Sequence, residues 1–388
     1  MKKKTIAVFF GGVTPEHDIS IVTAISAVIK PLELSGKYDV VPVYITKTGA
    51  WYSHESFKDI TVFRTKAIEE LCAKLKPLGL VMQGGLVLEK QLGLKRRQRI
   101  TIDIAFPAMH GGNGEDGSLM GVLRMTGIPF VGCDIEASSI SMDKVLAKQV
   151  VQAEQVPVAK YEYLFGSTFT QKPDLIVAEL EKSLTYPLFV KPAHLGSSIG
   201  ITRATNTVEL RNALEVAAFY DDKVIVEEAV QNLIEVTLPI IGNKKMEVGL
   251  LERPLTQSDE FFDFDTKYLR GGKKSGGAKQ SGAQGYSELP AKLSKELYDQ
   301  AVATAQKVYR IVGCEGISRI DLLIDSKTEK IYFNEINPMP GSLYAHNWRK
   351  AGVSSVELVT KLVGFAEERH VNQQRLSTTF PTSFLKQF

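Results

Sequence analysis

Residues 316–342, GISRIDLLIDSKTEKIYFNEINPMPGS, set two apolar runs on either side of a polar turn. The runs IDLLID (320–325) and IYFNEIN (331–337) predict the strands of an antiparallel hairpin. Side chains alternate across a strand, so Glu335 and Asn337 share a face. Antiparallel pairing can bring Asp321 opposite them. Two carboxylates and an amide oxygen on one sheet face suit Mg²⁺, which completes its shell with phosphate oxygens and water; Mn²⁺ would serve in the same set. A solvated hairpin face is the bland alternative, and the apolar surroundings and adjacent Arg319 weigh against it.

A second stretch, VKPAHLGSSIGI at residues 190–201, places a lysine ahead of a turn of small, hydroxyl-bearing residues. Backbone N–H groups and hydroxyls can close on an anion only where side chains are small, so phosphate binding is suspected. The phosphate-loop pattern has its lysine after the glycines. Lys191 precedes them, and another nucleotide architecture is required.

Working outward, residues 5–10 form an apolar run ending at Gly11-Gly12, with helical periodicity over 18–30. DVVPVYIT and TIDIAFPAM predict further strands, EDGSLMGVLRMTG a helix and PFVG a short strand. Strands alternating with helices predict an open parallel sheet. The basic, Leu-rich residues 63–99 predict two or more helices decorating this unit. A helix over 141–155 leads into a second unit with strands near 188–191 and 200–202. KVIVEEAV opens a third, with EVTLPIIGN and KMEVGLLE as antiparallel strands. The expected domains are therefore 1–136, 137–222 and 223–388, in a mixed α/β (α+β) chain. Residues 268–286, YLRGGKKSGGAKQSGAQGY, are too poor in apolar side chains to support a core. They read either as a linker or, from their position inside a domain, as a mobile active-site loop.

The chain has 388 residues, enough for two or three domains, and a net charge of +3, too small to imply nucleic acid as a partner. Its opening apolar run of about six residues is too short for an export signal, and no stretch approaches the roughly 20 residues that cross a bilayer. Three widely separated cysteines give neither metal-ligand spacing nor a disulfide framework, which suits a cytoplasmic enzyme.

Seven segments in order carry a resemblance: FFGGVTPEHDIS, FPAMHGGNGEDGSLMG, SSISMDKVLAKQ, FVKPAHLGSSIG, VIVEEAV, FFDFDTKYL and NEINPMPG. Together they resemble the ATP-grasp superfamily and, within it, the D-alanine–D-alanine ligases, over nearly the whole chain. The resemblance implies ATP held between the central and C-terminal domains. Lys144 and Lys191 would hold the α- and β-phosphates, with Ser198 in the turn that closes over phosphate. Glu227 would meet the adenine amine, with Glu228 beside it, and Glu235 would hold the ribose. Glu16 would take the ammonium of the first amino acid and join Ser197 and Tyr268 in a hydrogen-bonded set. Lys267 would reach the γ-phosphate, His110 and Gly341 the substrates, and Arg319 the oxygen of a tetrahedral intermediate. Asp321, Glu335 and Asn337 would hold Mg²⁺. The partners implied are small amino-acid substrates, with no nucleic acid or membrane, and a homodimer is expected.

The second-substrate end departs from the family. Counted from Gly341, His346 and Asn347 occupy the places of the family's Ser-Leu pair, and a bulkier wall over residues 346–348 is expected to reshape that pocket. Leu195, Met120 and Pro338 also replace the family's usual residues. The reaction expected is ATP-dependent carboxylate–amine ligation through an acylphosphate, giving a dipeptide for peptidoglycan precursors. A related ligase with another amino acid, hydroxy acid or amine as acceptor is the alternative. A non-catalytic nucleotide sensor is a third, disfavoured by the complete hairpin set.

Overall fold

The computed structural model describes residues 3–93, 96–255, 287–379 and 381–388. In the N-terminal domain β1 (Lys4–Gly11), β2 (Tyr38–Ile45), β3 (Trp51–Tyr52), β4 (Gly79–Met82), β5 (Leu86–Gln91), β6 (Arg97–Ile102) and β7 (Ile104–Pro107) form two sheets. The first has the order β3-β2-β1-β7, with β1 parallel to both β2 and β7. Central β1 is buried on both faces, which is why Ile6–Phe10 is an unbroken apolar run.

The second sheet, β4-β5-β6, is antiparallel and corrects the helical expectation for residues 63–99. One α-helix, Ala67–Lys74, forms there. Leu86 and Leu88 alternate inward and pack with Phe9 and Val43, a period of two that a Leu-rich composition hides. TIDIAFPAM is likewise two strands, broken at Asp103, whose carboxylate accepts from Thr5 N at 2.7 Å.

The central sheet takes β8 (Tyr161–Phe165), β9 (Leu188–Pro192), β10 (Thr202–Ala204) and β11 (Lys223–Glu228) in the order β10-β9-β11-β8. Strand β11 pairs with β8 and β9, so the expected boundary at residue 223 falls one strand too early. Its Val224–Val226 run is fully buried between those neighbours. The helix expected over 141–155 is two, Ile135–Met142 and Lys144–Ala153. They break at Asp143, whose carboxylate caps the second helix by accepting from Val145 N and Leu146 N.

The C-terminal domain contains β12 (Leu233–Gly242), β13 (Met246–Val248), β14 (Arg253–Pro254), β15 (Ser287–Glu288), β16 (Gly316–Asp325) and β17 (Lys330–Asn337). Its main sheet is antiparallel, in the order β13-β12-β16-β17. Helix Lys295–Val312 buries Ala301, Ala305 and Val308 in the core of this domain. Helix Ser355–Gln374 sends Leu358 and Leu362 into a core shared with Ile25, Val28 and Phe106, welding the first and last domains together.

Candidate active site

The hairpin forms as expected, with Asp321 directly opposite Glu335 and Arg319 opposite Asn337. One residue further the register shifts, leaving Asn334 as the extra residue of a β-bulge. Arg319 forks onto the Asp321 carboxylate at 2.7 and 2.5 Å, and Asn337 Nδ2 donates to it at 3.3 Å. Burial pushes Asp321 up to about 6; Arg319 opposes this, while Glu335 and Glu235 add to it. On the next strand Thr237 faces Asp321, and Glu235, two residues along, shares that face.

Among the described residues no three His, Cys, Asp or Glu side chains form a metal cage. The two carboxylates and one amide still fit a divalent cation that draws its remaining ligands from phosphate and water. Their mutual repulsion in a buried place is the charge deficit such a cation relieves.

Opposite this acid wall stands a wall of lysines. Lys144 opens its helix, donates to Leu195 O at 2.6 Å and approaches Glu335 Oε2 at 3.7 Å. Lys191, on β9, donates to Asn334 Oδ1 at 3.4 Å and ion-pairs with Glu227. Fully buried Lys148 holds the same Glu227 at 2.6 Å. Burial alone would raise Glu227, but the two ammonium groups outweigh it and bring the carboxyl down to about 2.

Glu228, next along the strand, turns the other way: it accepts from Thr185 N at 3.0 Å, so its side chain does not join the nucleotide set. Ser197 and Ser198 sit at φ of +53° and +58°, strained positions that mark the turn as more than a connector.

Ser197 Oγ donates to Glu16 Oε1, joining the central loop to the N-terminal domain. Glu16 lies against two glycines, where a side chain would crowd its carboxylate. A Cβ at Gly196 would stand 2.8 Å from its Oε2, and one at Gly111, where φ is +68°, would stand 2.7 Å away. Glu115 accepts from Gly111 N at 2.6 Å, and burial together with Glu16 raises it to about 8. His110 is held at 2.8 Å from Thr23 Oγ1, and burial lowers it to about 4, leaving it neutral. Thr23 also accepts from Ser342 N, just after Gly341, at 2.9 Å.

At the far end His346 does not stand open. Its Nε2 lies 2.9 Å from Glu252 Oε2. Asn347, expected to bind substrate, is fully buried and holds Leu250 instead, accepting from its N at 2.9 Å and donating to its O at 2.8 Å. Trp348 is core, 1% exposed, and not pocket wall. Lys267, Tyr268 and the loop 268–286 lie outside the described residues.

Sequence reading missed Glu115, Lys148, Asn334 and Glu252. Glu115 alone had a local signal, the GEDG run after His110.

Residues 5–133 match the D-ala D-ala ligase N-terminus and residues 150–364 the D-ala D-ala ligase C-terminus. The chain belongs to the D-alanine–D-alanine ligase family. It is 34% identical to the D-alanine–D-alanine ligase of Caldicellulosiruptor bescii over 390 residues, covering 98% of this chain and 99% of that one. The VanG D-Ala:D-Ser ligase of Enterococcus faecalis superposes with a TM-score of 0.77 at 32% identity, over 94% of this chain and all of that one. The Coxiella burnetii D-alanine–D-alanine ligase, at 24% identity, shares the fold with a TM-score of 0.77, each chain being covered to 97%. As a member of this ATP-grasp family the protein is an ATP-dependent ligase. No described helix is long and apolar enough to cross a membrane.

Proposed function

We propose that the protein joins two molecules of D-alanine with hydrolysis of ATP, supplying the dipeptide of peptidoglycan precursors. The observation that carries this is the pair of opposed walls, lysines on one side and acids on the other, closed to 3.7 Å between Lys144 and Glu335. A polyphosphate between them meets Lys144 and Lys191 directly. Asp321, Glu335 and Asn337 would hold Mg²⁺, which would supply positive charge against the phosphates during transfer. Glu16 binds the ammonium of the first D-alanine, with Ser197 fixing its carboxylate. Arg319 receives the negative oxygen when the acylphosphate is attacked, a task for a cation already in position. Glu235 holds the ribose, Glu227 the adenine edge, and Lys267 and Tyr268 complete the substrate end. The family resemblance supports a cytoplasmic homodimer.

The test is mass spectrometry of products with ATP, Mg²⁺ and pairs of amino or hydroxy acids. D-Alanine alone should give dipeptide, ADP and phosphate in equal amounts. No dipeptide from D-alanine overturns the reading. A second acceptor, D-serine, is favoured by the altered acceptor end and by the likeness to the VanG ligase. The same assay decides it through a D-Ala–D-Ser product in preference to D-Ala–D-Ala.

A further inference from the structure

The cross-strand register lines up four residues in a row. Glu335 faces Asp321, Asp321 faces Thr237, and Thr237 bridges to Glu252. Directly paired residues project from the same face, so the row runs from the candidate metal set to Glu252. Adjacent strands are about 4.8 Å apart, which puts Glu252 about 10 Å along the sheet from Asp321. That is the span of a short substrate lying across the face.

His346 is built into the end of this row. Its Nε2 contacts both Glu252 oxygens, at 2.9 and 3.1 Å, and Asn347 Nδ2 reaches the same carboxylate at 3.3 Å. Burial would raise Glu252, but its hydrogen bond and charge interaction with His346 bring it below the ordinary value, so the carboxylate stays ionised. The Tyr344 ring lies 4.6 Å from the imidazole and 5.4 Å from the Arg319 guanidinium, and its hydroxyl is 2.9 Å from Thr237 Oγ1. Among the described residues the charged and titratable groups around the imidazole are Glu252 directly, Tyr344 at its face and Arg319 beyond that ring. Burial keeps the Tyr344 phenol far above its usual range, hence neutral.

A histidine whose Nε2 hydrogen-bonds a carboxylate carries its proton there and keeps a lone pair on Nδ1. Among the described residues nothing bonds Nδ1 of His346. An acceptor carboxylate brought to this imidazole would be repelled by the charge of Glu252, whereas an ammonium would be attracted by it. We propose that His346, oriented by Glu252, takes the proton that the acceptor's ammonium must lose before its nitrogen attacks the acylphosphate. The N–H bond breaks toward Nδ1, and the freed lone pair forms the C–N bond. The C–O bond to phosphate then breaks with its electrons on phosphate, and the departing phosphate takes the second proton that the nitrogen sheds as the amide forms. This rests on the ligase reading above.

The experiment separates the two halves of the reaction. Scrambling of ¹⁸O between bridging and non-bridging positions of ATP, with D-alanine at a level that fills the first subsite, reports acylphosphate formation without transfer. In His346→Gln, dipeptide turnover should fall about 100-fold, the usual weight of a general base, while scrambling falls by far less. The acid limb of kcat/KM for the acceptor should disappear. In His346→Ala, added imidazole should restore part of the turnover. Glu252→Gln, which no longer fixes the imidazole tautomer, should lower dipeptide turnover about 10-fold or more while scrambling falls by far less. This variant decides the matter if the histidine variants do not fold. An unchanged acid limb in His346→Gln, or turnover and scrambling that fall together or not at all in Glu252→Gln, overturns the inference. Wild-type protein that scrambles no ATP with D-alanine overturns the ligase reading instead.

Discussion

The two walls of the site solve the same charge problem in opposite ways. On the central side the excess is positive, and Glu227 neutralises it from within, pinned between Lys148 and Lys191. On the C-terminal side the excess is negative, and Arg319 cancels only part of what Asp321, Glu335 and Glu235 contribute. The lysine wall is therefore complete as protein, able to take phosphate by direct contact. The acid wall needs a cation brought to it. A ligase that must hold a triphosphate in the ground state and neutralise moving charge in the transition state has use for both.

The comparison breaks most visibly at the acid wall. Asp321→Asn and Glu335→Gln keep the shape of the hairpin and remove the charge that a divalent cation requires. Each should lower turnover about 1,000-fold, a loss of about 4 kcal/mol of transition-state stabilisation, with an unchanged circular dichroism spectrum. Saturating Mn²⁺ or Mg²⁺ should recover part of it. Near-normal turnover at ordinary Mg²⁺ in either variant would remove these residues from the metal set.

A pair of variants sharpens the contrast between holding and stabilising. Lys191→Met withdraws a contact that phosphate makes throughout the reaction, so the KM for ATP should rise about 10- to 100-fold with little change in kcat. Arg319→Lys retains the charge but loses the fork, and should lower kcat by about 100-fold with the KM for ATP nearly constant. Initial-rate kinetics over an ATP series measure both. Identical patterns from the two substitutions would mean that the walls are not functionally distinct.

The sequence disclosed the part of this contrast that is local. The hairpin, its alternation and the Gly-Ser-Ser turn each occupy fewer than thirty consecutive residues, and short-range periodicity sufficed to find them. Assigning β11 to the right sheet needed more. A fully buried strand reads as Val224-Ile225-Val226 whichever neighbours it has, and only pairing with β8 and β9 decides its domain. The His346–Glu252 pair was invisible for a related reason: its members are 94 positions apart, and each alone is an ordinary polar residue. Lys148 was hidden by its helix, where a charged residue four positions after Lys144 suggests a solvated face and not a fully buried ion pair.

Asn347 gives a smaller effect, on stability instead of chemistry. Its amide satisfies both backbone groups of Leu250 in a fully buried place. Asn347→Leu strands an N–H and a C=O at a cost of about 2–3 kcal/mol. Urea unfolding should show a lower midpoint with an unchanged slope. Because the same amide steadies Glu252, the acceptor's KM should rise while that of ATP does not. An equally stable variant would mean that Leu250 finds other partners.

The smallest effect expected is on the lysine wall, where His194 clamps the base of the Gly-Ser-Ser turn. Its Nδ1 is 2.9 Å from Asp221 and its Nε2 3.4 Å from Asp143, the residue that caps the helix opening at Lys144. Lys223 also holds Asp143, at 2.6 Å. Hydrogen bonds to Asp143 and Asp221 raise His194 from 6.5 to about 9, with burial opposing them. A folded-state value above the unfolded one means that the protonated form is the stabilised form. The contribution is therefore whole below pH 6.5, declines as the pH climbs and is lost as it passes through about 9. The side chain is 45% exposed, so solvent screening holds the gain to no more than about 1 kcal/mol. His194→Gln should accordingly melt a few degrees below the wild type at pH 6 and level with it at pH 10, with the gap narrowing in high salt. A gap constant across that range would mean that the clamp works through neutral hydrogen bonds. Among the described residues no histidine contacts Asp321, Glu335 or Glu235, so the acid wall should show no comparable closing of a stability gap between pH 6 and 10.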